Sequence, residues 1–309
     1  MTKNIDFTNC TQVPGRAYSG ANGKKIAVEY SGKRYMLKFP PSGTQKPTEL
    51  SYTNGCFSEH IASSIFNILG VTAQETMLGT FGVRGKTRVV CACRDFIADG
   101  KILNDFCSIK NTVLDSDSGG NGTELYDVLD TIEKQQVVAP DRLMEHFWDM
   151  FIIDAMLGNF DRHNGNWGFL YDSISGKTEI APIFDCGSCL LPQADETVMR
   201  EVLNDEHALK ARVFQFPTSM IKQNDRKINY YDFLIKAENA DCNKALKRIY
   251  SRTDVEKIRA FINDVPYISD LQKEFYDRYI TARLDMILRP AYEMVMSNVP
   301  EKSGPAFSV

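Results

Sequence analysis

The chain has no run of eighteen consecutive apolar residues, and no apolar stretch follows its opening MTKNIDFTNC. The first absence excludes a membrane-spanning helix and the second a Sec-type leader, so the expected location is the cytoplasm. An excess of cations is missing too: 36 Lys and Arg stand against 40 Asp and Glu, a net charge of −4. A generic nucleic-acid binder needs a basic footprint, so no direct nucleic-acid contact is expected. Histidine is scarce, with four in 309 residues, and none stands at ligand spacing from a cysteine pair. The C-x-x-C of Cys186 and Cys189, and the pair Cys91 and Cys93, therefore read as buried reduced thiols and not as a zinc or redox site. There is no internal repeat, and no G-x-x-x-x-G-K-[ST] phosphate loop leading into a helix.

What is present suits one large domain or two lobes around a cleft, because 43% apolar and 25% charged residues are ordinary globular proportions. Residues 24–30 alternate, with Ile26, Val28 and Tyr30 on one face. Ser31-Gly32 then signals a turn, and residues 33–39 return as the second strand of a hairpin. On that strand Tyr35, Leu37 and Phe39 share a face, while Met36 and Lys38 point the other way. Phe57, Ile61, Ile65, Ile68 and Leu69 recur at helical spacing, which predicts a helix over 54–69 that Gly70 stops. A further strand is expected over 87–96. The segment 141–158 carries Leu143, Phe147, Trp148, Phe151, Ile152 and Ala155 and is too apolar for an exposed helix, so it should be the buried centre of a second, helical unit. More helices are expected from Tyr230 onward, one of them opened by a Thr253-x-x-Glu256 capping box and another interrupted near Pro290.

The chemistry concentrates beside the apolar helix. Gly158-Asn-Phe-Asp161-Arg-His163-Asn-Gly-Asn166 places an asparagine five positions after an aspartate, and Ala181-Pro-Ile-Phe184-Asp185-Cys-Gly187 adds a second aspartate. This is the acidic equipment of kinase phosphoryl transfer. There one Asp takes the acceptor proton, the Asn holds magnesium, and the later Asp bridges magnesium to the phosphates. The spacing equals that of the kinase loop H-R-D-x-x-x-x-N, but the flanking order is inverted, because Arg162 and His163 follow the aspartate. Five polar residues within eight positions, next to so apolar a helix, mark a functional loop.

Phosphoryl transfer also needs a cation at the α/β-phosphates, and Lys38 is the candidate. A lone strand lysine would usually just reach for water, but Glu59 on the downstream helix is suited to pair with it. Upstream, Ser19, Gly20, Ala21, Asn22, Gly23 and Lys24 form a glycine loop whose backbone N–H groups could approach phosphates closely, with Lys24 or Lys25 adding charge. Lys38, Glu59, Asp161, Asn166 and Asp185 together, in kinase order, are hard to assign to chance.

At these residues the chain resembles the HipA-like serine/threonine kinase family, and within it the compact single-chain type. The pieces that carry the likeness are residues 19–24, Tyr35-Met-Leu-Lys38-Phe-Pro, residues 158–166 and Ala181-Pro-Ile-Phe-Asp185. The resemblance implies an α+β, two-lobed protein-kinase-like fold related to phosphoinositide kinases, with a strand-rich N-lobe over 1–97 and a helical C-lobe over 98–309. It implies ATP and Mg2+ as cofactors. Asp161 would be the catalytic base, Asn166 and Asp185 the metal ligands, and Lys38 the phosphate cation. His163 and Phe184 would join the ATP contacts, and Cys93, Arg94, Asp95 and Phe96 would form the hinge that reads adenine. It also implies autophosphorylation, for which Ser19 is the candidate position. Partners would be a protein substrate and a separate antitoxin or regulatory protein. The longer toxins of the family carry an extra N-terminal subdomain for which there is no room before Tyr18. Two other readings share the machinery: a phosphotransferase for a small molecule or lipid head group, and a non-catalytic nucleotide-binding pseudokinase. The latter usually lacks the lysine, the base or the metal aspartate, all of which are present.

Overall fold

The computed structural model describes residues 4–15, 24–41, 52–83, 85–97, 100–114 and 119–298. The N-terminal elements are β1 (Thr11–Gln12), β2 (Lys25–Tyr30), β3 (Lys33–Lys38), α1 (Gly55–Ile68), β4 (Thr76–Val83) and β5 (Lys86–Arg94). The strands form one antiparallel sheet in the order β1-β2-β3-β5-β4. The expected hairpin is there, turning at Ser31 and Gly32, both at positive φ (50° and 71°). That left-handed pair is the conformation whose twist suits a two-residue hairpin turn.

The alternation of β3 separates two environments. Tyr35, Leu37 and Phe39 join Phe7, Val28, Phe81, Val90 and Ala92 in a small core on the outer face. The N-terminal segment covers this face, with Phe7 N–H donating to Thr80 O at 2.9 Å. Met36 and Lys38 face inward, toward α1. That helix begins at the expected Asn54, and Gly70 at φ 82° follows its end.

The second half contains β6 (Lys101–Asp105), α2 (Phe106–Val113), α3 (Leu125–Lys134), α4 (Pro140–Leu157), β7 (Gly168–Asp172) and β8 (Lys177–Ile180). It continues with α5 (Glu196–Asn204), α6 (Glu206–Phe214), β9 (Lys222–Gln223), β10 (Arg226–Lys227) and α7 (Tyr230–Leu234). The last helices are α8 (Ala240–Arg252), α9 (Val255–Asp264), α10 (Asp270–Arg283) and α11 (Arg289–Ser297). Helix α4 is buried along most of its length and forms the centre of the main core. Gly158, in the left-handed region at φ 65°, ends it, and a Cβ there would collide with the Tyr279 hydroxyl.

Three details depart from the sequence reading. The small sheet β6-β7-β8 was not expected, because its strands are short and β6 is mostly polar. The Thr253 capping box does not form. Asp254 caps α9 by accepting the Lys257 N–H at 3.1 Å, while the Thr253 hydroxyl donates back to Ile249 O at 2.8 Å. A carboxylate one residue closer to the helix is the better acceptor, and threonine is left to finish α8. Near Pro290 the path is not interrupted: α10 runs through a π-helical stretch, Leu284–Leu288, into α11, whose first turn holds Pro290. Among the described residues no helix is long and apolar enough to cross a membrane.

Candidate active site

Lys38 closes β3 with its side chain on the inner face, where its ammonium joins three elements. Nζ lies 2.8 Å from Glu59 Oε2 on α1 and 2.9 Å from Asp185 Oδ1 in the segment after β8. Burial alone would push Lys38 down, but the carboxylates of Asp185 and Glu59 outweigh it and hold the ammonium well above the ordinary lysine range. The same pairing holds the Asp185 carboxyl down at about 2. Glu59 is fully buried, and its Oε1 has no hydrogen-bond partner among the described residues. Gly187 sits against this carboxylate; a Cβ there would come within 3.2 Å of Glu59 Oε2, so a side chain would press on the ion pair.

The segment bearing Asp185 is fixed to the first sheet's half of the molecule. Ile183 N–H donates to Thr72 O at 2.9 Å, and Gln74 N–H donates to Ile183 O at 2.8 Å. Asp185 itself has φ 57°, a left-handed conformation that aspartate tolerates better than most side chains.

Asp161 stands in the loop that leaves α4. Its N–H donates to Asn159 Oδ1 at 3.0 Å, and its carbonyl accepts Asn166 Nδ2 at 2.9 Å. A carbonyl can only accept, so the Asn166 amide nitrogen must face it. That leaves Asn166 Oδ1 as an electron-pair donor for the cleft the residue lines. His163 Nδ1 accepts the Gly165 N–H at 3.1 Å, which places the proton of the neutral ring on Nε2. Burial pushes the Asp161 carboxyl up; His163 opposes the rise and the charge of Asp185 adds to it.

Arg162 turns away from Asp161 into the core and is 2% exposed. Its Nε is 2.9 Å and its Nη2 3.2 Å from the two oxygens of Asp154, in the last turn of α4. Its Nη1 donates to Asn166 O at 3.1 Å and to Phe184 O at 2.6 Å. Asp154 also accepts Asn159 Nδ2 at 2.8 Å. One buried guanidinium thus ties α4, the Asp161 loop and the Asp185 segment together. Sequence reasoning assigned no role to Arg162 or Asp154, although a lone acid in Phe151-Ile-Ile-Asp-Ala-Met-Leu157 is a signal that a buried cation must meet it.

Lys38, Glu59, Asp161, His163, Asn166, Phe184 and Asp185 all line one cleft of about 490 Å³. Cys56 lines it too, with Sγ donating to Lys38 O at 3.2 Å, and burial pushes that thiol up to about 12. Other residues expected at the site fall elsewhere. Ser19, Gly20, Ala21, Asn22 and Gly23 lie outside the described residues. Lys24 is exposed, its Nζ 5.4 Å from the Phe39 ring centroid. The neighbouring Lys25 stands directly opposite Lys38 in the ladder and lines the cleft in its place. Burial pushes the Lys25 ammonium down, and the charge of Lys38 adds to the shift.

Of the four residues expected to form a hinge, Asp95 and Phe96 line the cleft together with Ile97, whereas Cys93 and Arg94 belong to β5 and do not. Backbone groups early in that stretch are already committed. Arg94 N–H donates to Glu75 O at 2.8 Å, Arg94 O accepts Gln74 Nε2 at 2.8 Å, and Asp95 N–H donates to Arg34 O at 2.9 Å. At this edge of the cleft the rings of Phe96 and Phe184 stand 5.9 Å apart.

The donor set fits a hard cation beside a polyanion: a carboxylate and an amide oxygen next to two lysines. The model of the HipA-like C-terminal domain family matches residues 17–265. The serine/threonine-protein kinase CtkA of Helicobacter pylori is 49% identical over 290 residues, covering 93% of this chain and 87% of that protein. The crystal structure of a Helicobacter pylori proinflammatory kinase CtkA superposes with a TM-score of 0.89 at 46% identity, covering 96% of this chain and all of that one. HipA of Shewanella oneidensis, solved with HipB and operator DNA, shares the fold at a TM-score of 0.51 and 15% identity, over 93% of this chain and 70% of its own.

Proposed function

The chain belongs to the HipA-like C-terminal domain family and is a serine/threonine protein kinase; from that premise we propose that it moves the γ-phosphoryl group of ATP, held with magnesium, onto a serine or threonine hydroxyl of a protein. The observation that carries this is the Lys38 ammonium between Glu59 and Asp185, in the same cleft as Asp161 and Asn166.

In this reading Lys38 and Lys25 meet the phosphates, and Glu59 holds Lys38 in place. Phe96 and Phe184 border the adenine. Asn166 Oδ1 and the Asp185 carboxylate would hold magnesium, whose bound charge offsets that of the phosphates. Asp161 accepts the proton of the acceptor hydroxyl as that oxygen bonds to the γ-phosphorus and the bond to the ADP oxygen breaks. A carboxyl raised by burial is a better proton acceptor than a solvated aspartate. His163, with its proton on Nε2, can donate a hydrogen bond to a phosphate oxygen. Arg162 and Asp154 touch no reacting atom; they position Asp161, Asn166 and Asp185 relative to one another.

The test is transfer from γ-labelled ATP in magnesium buffer to protein, by the wild type and by Asp161→Ala. The expected loss is about 10²–10⁴-fold, the span of a general base. Equal transfer by both proteins would overturn the assignment.

A further inference from the structure

The Asp161 loop is tied at both ends to segments that adjoin the β9–β10 hairpin. On the near side, Asn159 O accepts the Tyr230 hydroxyl at 2.6 Å, three residues beyond Lys227. On the far side, Asn164 Nδ2 donates to Gly120 O and Gly122 O at 2.7 and 2.8 Å. The next residue, Thr123, accepts the Lys222 N–H at 2.9 Å and gives its hydroxyl to Met220 O at 2.8 Å. The tip is fixed as well: Asn224 and Asp225 turn at φ 54° and 61°, and the Glu124 carboxylate accepts their N–H groups at 2.6 and 3.2 Å. The hairpin is therefore held in register with the residue that faces the acceptor.

Its charge is unusual for this molecule. Residues 222–227 carry three cations and one anion, in a chain of net charge −4. Lys222 and Lys227 stand directly opposite each other in the ladder. Like charges so placed repel, which destabilises a strand pair. Neither lysine, nor Arg226, has a carboxylate within ion-pair reach among the described residues. The hairpin does not line the nucleotide cleft, so these charges stand outside the phosphate space. The charge of Lys227 nonetheless reaches Asp161, lowering its carboxyl more than the adjacent Arg162 does.

We propose that this hairpin selects the acceptor: Lys222 and Lys227 receive an acidic side chain of a protein substrate, next to the serine or threonine presented to Asp161. The repulsion between the two lysines is then relieved in the complex, where a carboxylate sits between them. A short hairpin with three cations on an acidic chain suits one or two carboxylates, and lacks the extended basic track that a nucleic acid needs. The inference rests on the kinase reading and names its substrate class.

The experiment compares serine peptides flanked by Glu, Gln or Lys as acceptors for the full chain. The variants are Lys222→Gln, Lys227→Gln and the double reversal Lys222→Glu with Lys227→Glu. Wild type should favour the Glu peptide over the Gln peptide by about five- to tenfold in kcat/KM, through KM, and the preference should shrink in high salt. Each Gln variant should raise KM for the Glu peptide, and the double reversal should favour the Lys peptide. The Gln variants also remove the like-charge pair, so their Tm should not fall. An unchanged order of preference in the reversed protein overturns the proposal. So does a uniform loss of kcat on every peptide, which would move Lys227 into the phosphoryl step. Transfer to protein acceptors but to no acidic peptide overturns acidic selection and leaves the kinase standing. No transfer to any acceptor overturns the function itself.

Discussion

The two halves of the molecule hold their share of the site in different ways. Lys38 and Glu59 sit on a strand and a helix whose apolar neighbours fix them, so their positions follow from packing. Asp161, Asn166 and Asp185 sit on irregular backbone, and a polar centre, Arg162 with Asp154, holds them from behind. Packed apolar faces tolerate substitution when volume is kept. A buried ion pair does not, because removing one partner strands the other without water.

That difference can be broken by experiment. Arg162→Met should cost about 3–5 kcal/mol in urea unfolding and lower kcat with it, because Asp154 is left buried without a counter-charge. Lys38→Met should abolish transfer and strand the fully buried Glu59, whereas Leu37→Met, a volume-keeping change in the apolar core beside it, should cost about 1.5 kcal/mol at most. Equal stability losses would remove the distinction between the two halves.

A second comparison uses a half-buried neutral histidine from each half. His60 on α1, 3.0 Å from the Thr76 hydroxyl, and His146 in α4 are each pushed by burial down to about 4. Because the folded value lies below the unfolded one, near 6.5, the unfolded chain binds more protons in acid. Stability is therefore full above about pH 6.5 and is lost as pH falls toward 4, by roughly 2 kcal/mol per histidine between pH 7.5 and 5. His60→Gln and His146→Gln should each flatten the acid limb of ΔG against pH by that share. A limb that stays as steep in both would mean the rings are not held neutral. The smallest effect concerns the α9 cap: Asp254→Ala should cost about 1 kcal/mol and Thr253→Ala less than about 0.5 kcal/mol, read from denaturant midpoints.

How far the sequence was legible follows the same division. Periodicity carried the β2–β3 hairpin, α1 and α4, because each buries one face or all of itself. Spacing brought Asp161, Asn166 and Asp185 together, since phosphoryl transfer constrains their order. It carried no sign of Arg162, whose role depends on Asp154 eight residues earlier across a helix end. Nor could it choose between Lys24 and Lys25, because a shift of one residue along a strand moves the side chain to the opposite face. Nor could it show which backbone groups near Arg94 are already bonded, because their partners Glu75, Gln74 and Arg34 are distant in sequence. Strand β6, polar and short, becomes a strand only through its partner β7.

The Cys56 thiol has a consequence for inhibitor chemistry. It lies in the cleft within reach of anything bound beside Lys38, and so looks like a handle for a covalent warhead. At pH 7, however, a thiol raised to about 12 is thiolate in only about one molecule in 10⁵, and its proton is already engaged by the Lys38 carbonyl. Electrophiles that capture nucleotide-site cysteines elsewhere should pass this one by, and selective ligands will have to gain their hold from shape and charge.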